Sequence, residues 1–324
     1  MKDGQGKSPV SEFLAEHETG LGFESLQYRL QRYGAGKARA LDMADYITDF
    51  VLGNRVCRWT SRLEAKRIAA SIENCGSYLL FRNYFRKDEV RLHAATFCKK
   101  HLLCPFCAMR RGAKYLQCYM ERLQCVLAEN PRLRAFMVTL TVKDGDDLAE
   151  RFNHLRGCLK RYQRQRRDGA SGKRPLVEYN KALGGVFSIE VKRGQGSGLW
   201  HPHVHMIWLC EDVPDKFRLS QEWHNITGDS YIVDVREFYG ETIVEGFFEV
   251  FKYALKFSDM ALSDNWQAFE TLKGKRLVDN FGLFRGGVVP EDLTDGELED
   301  EPYLMMLYKF FRGSGYSFTD QWKE

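Results

Sequence analysis

The chain has 324 residues, of which 44% are hydrophobic and 28% charged, a composition typical of globular proteins and not of disordered ones. No apolar run approaches the roughly 20 residues of a membrane-spanning helix. Residues 1–7 also lack the apolar stretch of a secretory signal, so we expect a cytoplasmic protein. The net charge of +4 is unevenly spread, because residues 291–302 hold seven acids and no base whereas residues 160–167 are strongly basic.

The first part of the chain is predicted to be helical. Apolar positions recur at helical spacing in residues 38–51 and 61–72, and we treat residues 1–71 as a helical N-terminal region. Two short strands follow at 78–81 and 90–92, in a segment dominated by cysteines. The pattern then predicts a helix over 113–127, and residues 72–130 form the next predicted region.

Nine cysteines are present, and an odd number without a secretory signal argues against a disulfide framework. Three of them lie within ten residues and include a C-x-x-C turn: Cys98, Cys104 and Cys107. The two thiolates of such a turn can bind one tetrahedral zinc ion, which requires four ligands. Cys75 is the favoured fourth ligand because the glycine after it eases a turn, and the alternatives are His93 and His101. A redox role for the C-x-x-C pair is the other interpretation.

The centre of the chain alternates strands and helices. Residues 135–142 are β-branched and apolar and predict a strand, and residues 147–166 predict a helix with a basic face. The bases of this helix suit contacts with DNA phosphates, although a solvated helix face explains them equally well. A further strand is predicted over 185–191, followed by a glycine-rich loop over 192–198.

Residues 200–209 carry histidines at alternate positions: His201, His203 and His205. Because side chains on a strand alternate between faces, these three imidazoles share one face while Val204 and Met206 turn toward a core. Neutral imidazole is the commonest nitrogen ligand of metals in proteins, so the strand predicts a divalent-metal site. The alternative is a chance cluster on a surface strand.

An antiparallel return from the preceding strand would bring Glu190 close to these histidines. A carboxylate beside two imidazoles makes a plausible site for Mg²⁺ or Mn²⁺, with positions left open for a substrate. The alternative for Glu190 is an exposed carboxylate on a strand.

Residues 246–257 predict an amphipathic helix with one buried apolar face. Glu249 and Tyr253 are four residues apart and therefore neighbours on another face, beside Lys252 and Lys256. Tyrosine can act as a covalent nucleophile, and a metal can polarise the phosphoryl group that it attacks. Taken alone, the pattern also fits ordinary packing and solvation.

Three segments in this order resemble the motifs of rolling-circle plasmid replication initiators (Rep) of the HUH endonuclease superfamily: residues 136–141, 200–205 and 249–256. The cysteine cluster is similar to the zinc-binding region of one Rep subgroup with a single catalytic tyrosine. The resemblance covers about residues 72–260, with a weaker extension over 273–282.

The resemblance implies an α+β fold, in which a central antiparallel sheet of the HUH endonuclease type is flanked by helices. A small zinc-binding lobe at 72–130 would precede the nicking domain at 131–285. Residues 286–324 would be an acidic linker and C-terminal tail. We expect the acidic stretch to be a solvated linker. The alternative is that its negative charge mimics nucleic acid and shields a basic groove.

For the site, the resemblance implies that His203 and His205 bind Mg²⁺ or Mn²⁺ with Glu190 as third ligand, and it assigns His201 no clear role. Tyr253 would attack origin DNA, single-stranded or extruded as a hairpin, leaving a 5′-phosphotyrosine link and a 3′-OH primer. Host helicase and polymerase would then act as partners.

Glu249 would activate water for the terminating cleavage, and Lys252 or Lys256 would lower the pKa of the tyrosine or hold a phosphate. Structural Zn²⁺ would be held by four cysteines: Cys75, Cys98, Cys104 and Cys107. The alternatives are an HUH transposase or relaxase, and a zinc-dependent DNA-binding regulator without catalysis.

Overall fold

The computed structural model describes residues 25–53, 60–238, 242–251 and 260–323. The chain divides into two compact units. The first is drawn from Met1–Gln117, Phe257–Glu270 and Val289–Glu324, and the second from Cys118–Lys256 and Thr271–Val288. None of the helices in the described ranges combines the length and the apolarity that a membrane crossing requires.

The described helices are α1 Leu26–Tyr46 with a π-helical continuation Ile47–Val51, α2 Arg62–Asn74, α3 Pro105–Glu129, α4 Leu148–Ala170, α5 Lys216–Thr227, α6 Thr242–Phe251 and α7 Leu262–Leu272. The described strands are β1 Tyr78–Tyr84, β2 Glu89–Ala95, β3 Arg134–Thr141, β4 Ala182–Arg193, β5 Trp200–Cys210, β6 Val233–Phe238, β7 Val278–Gly282, β8 Leu304–Phe311 and β9 Gly315–Lys323. Both sheets are antiparallel, and helices accompany each of them, which confirms the predicted α+β class.

The first unit contains a four-stranded sheet with the order β2-β1-β8-β9. The hairpin β1–β2 therefore pairs, through β1, with the hairpin β8–β9, which lies more than 200 residues later in the chain. Leu79 is opposite Tyr308 in this pairing. Residues 304–323, which we expected to be part of a C-terminal tail, form the inner strand β8 and the edge strand β9 of this sheet. Their alternating aromatic residues include Tyr308 and Phe318, whose rings pack at 5.5 Å.

The acidic stretch is attached to this unit through a buried carboxylate. Asp295 accepts from Arg29 at 2.6 Å and from Arg110 at 2.5 Å, and its side chain is only 7% exposed. Its third donor is the Leu92 backbone N–H, at 2.6 Å. The stretch that we expected to be a solvated linker thus supplies the counter-ion of two buried arginines.

The second unit contains a five-stranded sheet with the order β6-β3-β5-β4-β7, so the histidine strand β5 lies at its centre. One face of this sheet carries an aromatic core. Trp208 stacks on Tyr179 at 4.7 Å, and Tyr179 contacts Tyr162 of α4 at 5.0 Å. Trp223 of α5 donates its indole N–H to Thr141 O at 2.6 Å and fastens α5 to the same sheet. The histidines, at the alternate positions of β5, point to the opposite face.

Candidate active site

Strand pairing brings a carboxylate next to two imidazoles. Glu190 on β4 lies directly opposite His203 on β5, and Ser188 lies opposite His205. Residues paired in this way point to the same face of a sheet, so all four side chains share the face away from the aromatic core. Glu190 and His203 are almost fully buried, whereas the His205 side chain is 12% exposed. The group therefore opens to solvent on the side of His205.

The distances between the ligand atoms of this group match those expected when the atoms bind one metal ion. The two Nε2 atoms of His203 and His205 are 3.0 Å apart, and the carboxylate oxygens of Glu190 lie 3.4 Å and 3.5 Å from them. Ligand atoms bound to one ion at about 2.1 Å lie about 3.0 Å apart at a right angle and about 3.4 Å apart at the tetrahedral angle. Glu190, His203 and His205 could thus hold one divalent ion and leave further coordination positions open.

Hydrogen bonds fix the orientation of both imidazoles. His205 Nδ1 lies 3.0 Å from Thr139 Oγ1, and His203 Nδ1 lies 3.4 Å from the backbone oxygen of His201. In each ring Nδ1 is occupied, which turns Nε2 toward Glu190. Burial lowers the pKa of His203 although Glu190 opposes the shift, so this imidazole is kept neutral, as a metal ligand must be.

His201 shares the metal face but has a different partner. Its Nδ1 lies 2.5 Å from Asp144 Oδ1, and Ser197 donates to the other carboxylate oxygen at 2.6 Å. Burial opposes ionisation of Asp144, but the hydrogen bonds from Ser197 and His201 outweigh it and lower the pKa of this carboxyl. His201 does not belong to the group of Glu190, His203 and His205 that could hold an ion.

Helix α6 ends over the metal face. Ser188, on the same face as Glu190, donates its hydroxyl to Val250 O in the last turn of the helix. In the middle of this helix, Gly246 sits so close to the Phe238 ring that any side chain there would collide with it. Glu249 is half-buried on this helix. The remainder of the predicted helix, with Lys252, Tyr253 and Lys256, lies outside the described residues.

The four cysteines predicted as zinc ligands come together in the first unit. Cys75 follows α2, Cys98 follows β2, and Cys104 and Cys107 lie at the start of α3. The Sγ of Cys75 is 3.4 Å from that of Cys107 and 3.6 Å from that of Cys104, and Cys98 and Cys107 are 3.7 Å apart. Sulfurs bound to one tetrahedral zinc ion at about 2.3 Å lie about 3.8 Å apart, so the four sulfurs could hold such an ion.

Local contacts favour charge on one of these sulfurs, that of Cys98, whereas hydrogen bonds among the thiols, together with burial, raise the pKa of Cys104 and of Cys107. Thiol hydrogen bonds from Cys104, Cys107 and Cys75 lower the pKa of Cys98. The Cys98 backbone N–H donates to Cys75 Sγ at 3.3 Å, so this hydrogen bond joins two of the four cysteines. His93, one of the alternative ligands, instead faces Glu297 at 3.4 Å. His101 does not belong to the four-sulfur group either.

Part of the basic cluster on α4 has structural partners. Arg161 donates to Ile226 O at 2.8 Å at the end of α5. Arg166 donates to Tyr179 O and Ala182 O at 3.2 Å and 2.8 Å. These two bases tie α4 to its neighbours on the aromatic side of the sheet.

Sequence reasoning missed several residues around the predicted ligands. Thr139 and Asp144 contact histidines from separate segments of the chain, and the hydroxyl of Ser188 bonds Val250 O across 62 residues, so spacing along the chain does not predict these contacts. For Thr139 a weak signal exists, since Thr139 and Thr141 alternate on a strand whose other positions are apolar.

Known proteins match most of this chain. A family described as "Replication protein" matches residues 89–304. "Protein rep" of Streptococcus pneumoniae serotype 2 (strain D39 / NCTC 7466) is 27% identical over 235 residues, which are 66% of this chain and 69% of that protein. "Protein rep" of Lactiplantibacillus plantarum is 23% identical over 268 residues, or 76% of this chain and 80% of that protein. No solved structure matches the chain significantly.

Proposed function

Because this chain belongs to the replication protein (Rep) family of rolling-circle plasmid replication initiators, we propose that it starts replication by nicking one strand of origin DNA. The observation that carries the proposal is the buried group of Glu190, His203 and His205, whose nitrogen and oxygen atoms converge within 4.8 Å. A divalent ion held there, Mg²⁺ or Mn²⁺, would polarise a non-bridging oxygen of the scissile phosphate.

Tyr253 is the proposed nucleophile. Its phenol oxygen forms a bond to the phosphorus while the bond from phosphorus to the 3′ oxygen breaks, so the tyrosine loses its proton and the 3′ oxygen gains one. The products are a 5′-phosphotyrosine link and a free 3′-OH for the host polymerase. In support, Val250 is anchored to the metal face by Ser188, and a three-residue chain limits the Cα of Tyr253 to about 11 Å from that of Val250.

Two further residues have proposed roles on the same helix. Glu249, adjacent to the anchored Val250, would take a proton from water in the terminating cleavage, so that no second covalent link forms and replication ends after one round. Lys252 would lower the pKa of Tyr253 or hold a phosphate, and both effects require the positive charge of the ammonium group.

The cysteine group is proposed to hold a structural Zn²⁺. Four sulfur ligands fill a tetrahedral site completely, which leaves no position for a substrate. Cys75, Cys98, Cys104 and Cys107 connect the end of α2, the end of β2 and the start of α3, so an ion there would fasten three elements of the first unit.

The nicking proposal is tested with labelled single-stranded oligonucleotides that tile the replicon encoding the chain, incubated with the purified protein and Mn²⁺ or Mg²⁺. We expect one oligonucleotide to give a protein–DNA adduct that survives denaturation. Tyr253→Phe should abolish the adduct, because phenylalanine lacks the attacking oxygen, and His203→Ala should reduce it severely. Tyr231→Phe is the matched control, since Tyr231 is an exposed tyrosine outside the metal group. An adduct formed at full yield by the Tyr253→Phe variant would overturn the proposed nucleophile.

A further inference from the structure

A lysine lies on the metal face beside the proposed ligands. Lys192 follows Glu190 by two positions on β4, so both side chains point to the same face, with their Cα atoms about 6.6 Å apart. Lys192 pairs with His201 across the two strands, two residues further along β4 than the pair of Glu190 and His203. The four-carbon stem of a lysine is long enough to cover that separation, which brings the ammonium group within reach of a DNA strand bound at the metal.

Two described carboxylates that contact the histidines of the metal face, Glu190 and Asp144, have other partners. Both oxygens of Glu190 face the histidines, and Asp144 is bonded to His201 and Ser197. Among the described residues no hydrogen bond or ion pair involves the Lys192 ammonium group, although the residue is half-buried. Its neighbour Arg193, on the opposite face, lies over the Trp200 ring at 3.9 Å.

A half-buried lysine with no carboxylate partner among the residues that the structure describes suits an anionic ligand. The proposed substrate places a chain of phosphates on this face, and a lysine binds a phosphate as a point charge. The metal position and Lys192 lie side by side along the sheet, about as far apart as neighbouring positions on one strand face. A DNA strand whose scissile phosphate is at the metal position would therefore present an adjacent phosphate to Lys192.

We propose that Lys192 binds a backbone phosphate of the single-stranded DNA substrate next to the scissile phosphate and so sets the position of the strand over the metal. This inference rests on the proposed nicking function and adds to it a substrate-binding residue from the sheet. Lys192 acts through its charge on the DNA, and it takes no part in holding the ion.

The test measures binding of the oligonucleotide that forms the adduct, in a Tyr253→Phe background so that no covalent product accumulates. Lys192→Ala should lower the affinity and reduce the slope of log affinity against log salt concentration by about 0.7, the value for one phosphate contact with a single strand. Lys192→Arg should restore the slope, because the charge returns. Lys66→Ala, which removes an exposed lysine from α2, is the matched control and should leave the slope unchanged.

Neutral methylphosphonate linkages placed one at a time in the oligonucleotide locate the contact. One position next to the scissile phosphate should weaken binding to the parent protein and have no further effect on the Lys192→Ala variant. The affinity for Mn²⁺ should be the same in the parent protein and in the Lys192→Ala variant. If Lys192 only supported the metal ligands, its removal would lower that affinity.

The proposal falls if Lys192→Ala leaves the salt slope and the methylphosphonate profile unchanged while the wild-type protein still forms the adduct. It also falls if the substitution reduces Mn²⁺ affinity as strongly as DNA affinity, since the lysine would then support the ligands. If the wild-type protein forms no adduct with any oligonucleotide, the nicking function itself fails, and this outcome is distinct from the first two.

Discussion

At the scale of single residues, the orientation of His205 depends on one threonine. Thr139 Oγ1 lies 3.0 Å from Nδ1 of the ring and occupies it, so that Nε2 faces His203 and Glu190. The second nitrogen of a metal-binding histidine almost always has such a partner, and its loss typically costs 10–100-fold in metal affinity or activity.

Thr139→Val is therefore expected to weaken Mn²⁺ binding about 10–100-fold with little change in volume. The measurement is a Mn²⁺ titration of the purified protein followed by electron paramagnetic resonance. Thr141→Val is the matched control, because Thr141 lies opposite His203 in the same pair of strands but its hydroxyl bonds Ser230 and the backbone of Ile232. Equal affinities in the two variants would contradict the orienting role.

A site residue could be predicted where its role follows from the local sequence, and not where that role depends on contacts with distant parts of the chain. Glu190, His203 and His205 could be proposed together because strand alternation and a short hairpin follow from the sequence alone. Asp144 and Lys192 could not, because their significance depends on which residues lie opposite them in β5. The register that places Thr139 beside His205 joins positions 66 residues apart and is set by packing of the whole sheet.

At the scale of elements, α6 is attached to the sheet by the hydrogen bond from Ser188 to Val250 O. Ser188 is fully buried, so removing its hydroxyl leaves a carbonyl without its donor in a region closed to water. The loss of a buried partner of this kind costs about 1–3 kcal/mol. The anchored end of the helix leads directly into the segment with the proposed nucleophile.

Ser188→Ala should slow adduct formation at saturating DNA and Mn²⁺ while the affinity for Mn²⁺ stays unchanged, because the substitution loosens α6 and leaves the ligands in place. Single-turnover kinetics on a denaturing gel measure the rate. Ser220→Ala is the control, since Ser220 also donates to a backbone carbonyl but on an exposed surface. A rate equal to that of the wild type would show that the anchor has no part in the reaction.

The cysteine group leads to a second prediction at the scale of elements, on zinc content and stability. Cys98→Ser should release one equivalent of Zn²⁺ per chain and lower the free energy of unfolding of the first unit, because the ion would join α2, β2 and α3. A metallochromic dye measures the zinc, and chemical denaturation measures the stability. Cys125→Ser is the control, as Cys125 is exposed and outside the four-sulfur group. Equal zinc content in both variants would exclude the proposed site.

Most elements could be predicted from local patterns, and the exceptions have physical reasons. The third helix begins at Pro105, eight residues before the predicted start at 113, so the C-x-x-C turn runs directly into it. Proline is favoured at the first helical position because its missing N–H would have no partner there. The bases of α4 are predictable as a surface feature, but the bonds from Arg161 and Arg166 to backbone carbonyls are not.

At the scale of the whole molecule, a buried ionic group joins distant segments of the chain within the first unit. Asp295 pairs with Arg29 and Arg110, which are 0% and 1% exposed. Burial opposes ionisation of Asp295, but Arg110 and Arg29 outweigh it and hold the pKa of this carboxyl well below its usual range. Removing one partner of a buried ion group typically destabilises a protein by about 3–5 kcal/mol.

Asp295→Asn is expected to lower the free energy of unfolding of the first unit by about 3–5 kcal/mol at pH 7. Because the folded pKa is depressed, the contribution of the carboxylate is complete above the unfolded value of about 3.9 and is lost as the pH falls toward the folded value. Urea denaturation at pH 7 and near pH 3 should show the difference from wild type shrinking at the lower pH. Glu299→Gln, which alters an exposed acid of the same stretch, should have little effect at either pH. A difference independent of pH would contradict the ionic role of Asp295.

The pairing of β1 with β8 has a consequence for biosynthesis. Leu79 emerges from the ribosome long before Tyr308, its partner in the sheet. At typical elongation rates of 5–20 residues per second the delay is roughly 10–45 s. During that interval the edge of β1 that β8 will cover is open to other strands, which makes the nascent chain a candidate for chaperone protection. Translation that stops before β8 would leave this edge uncovered, so truncated chains should aggregate more readily than full-length protein.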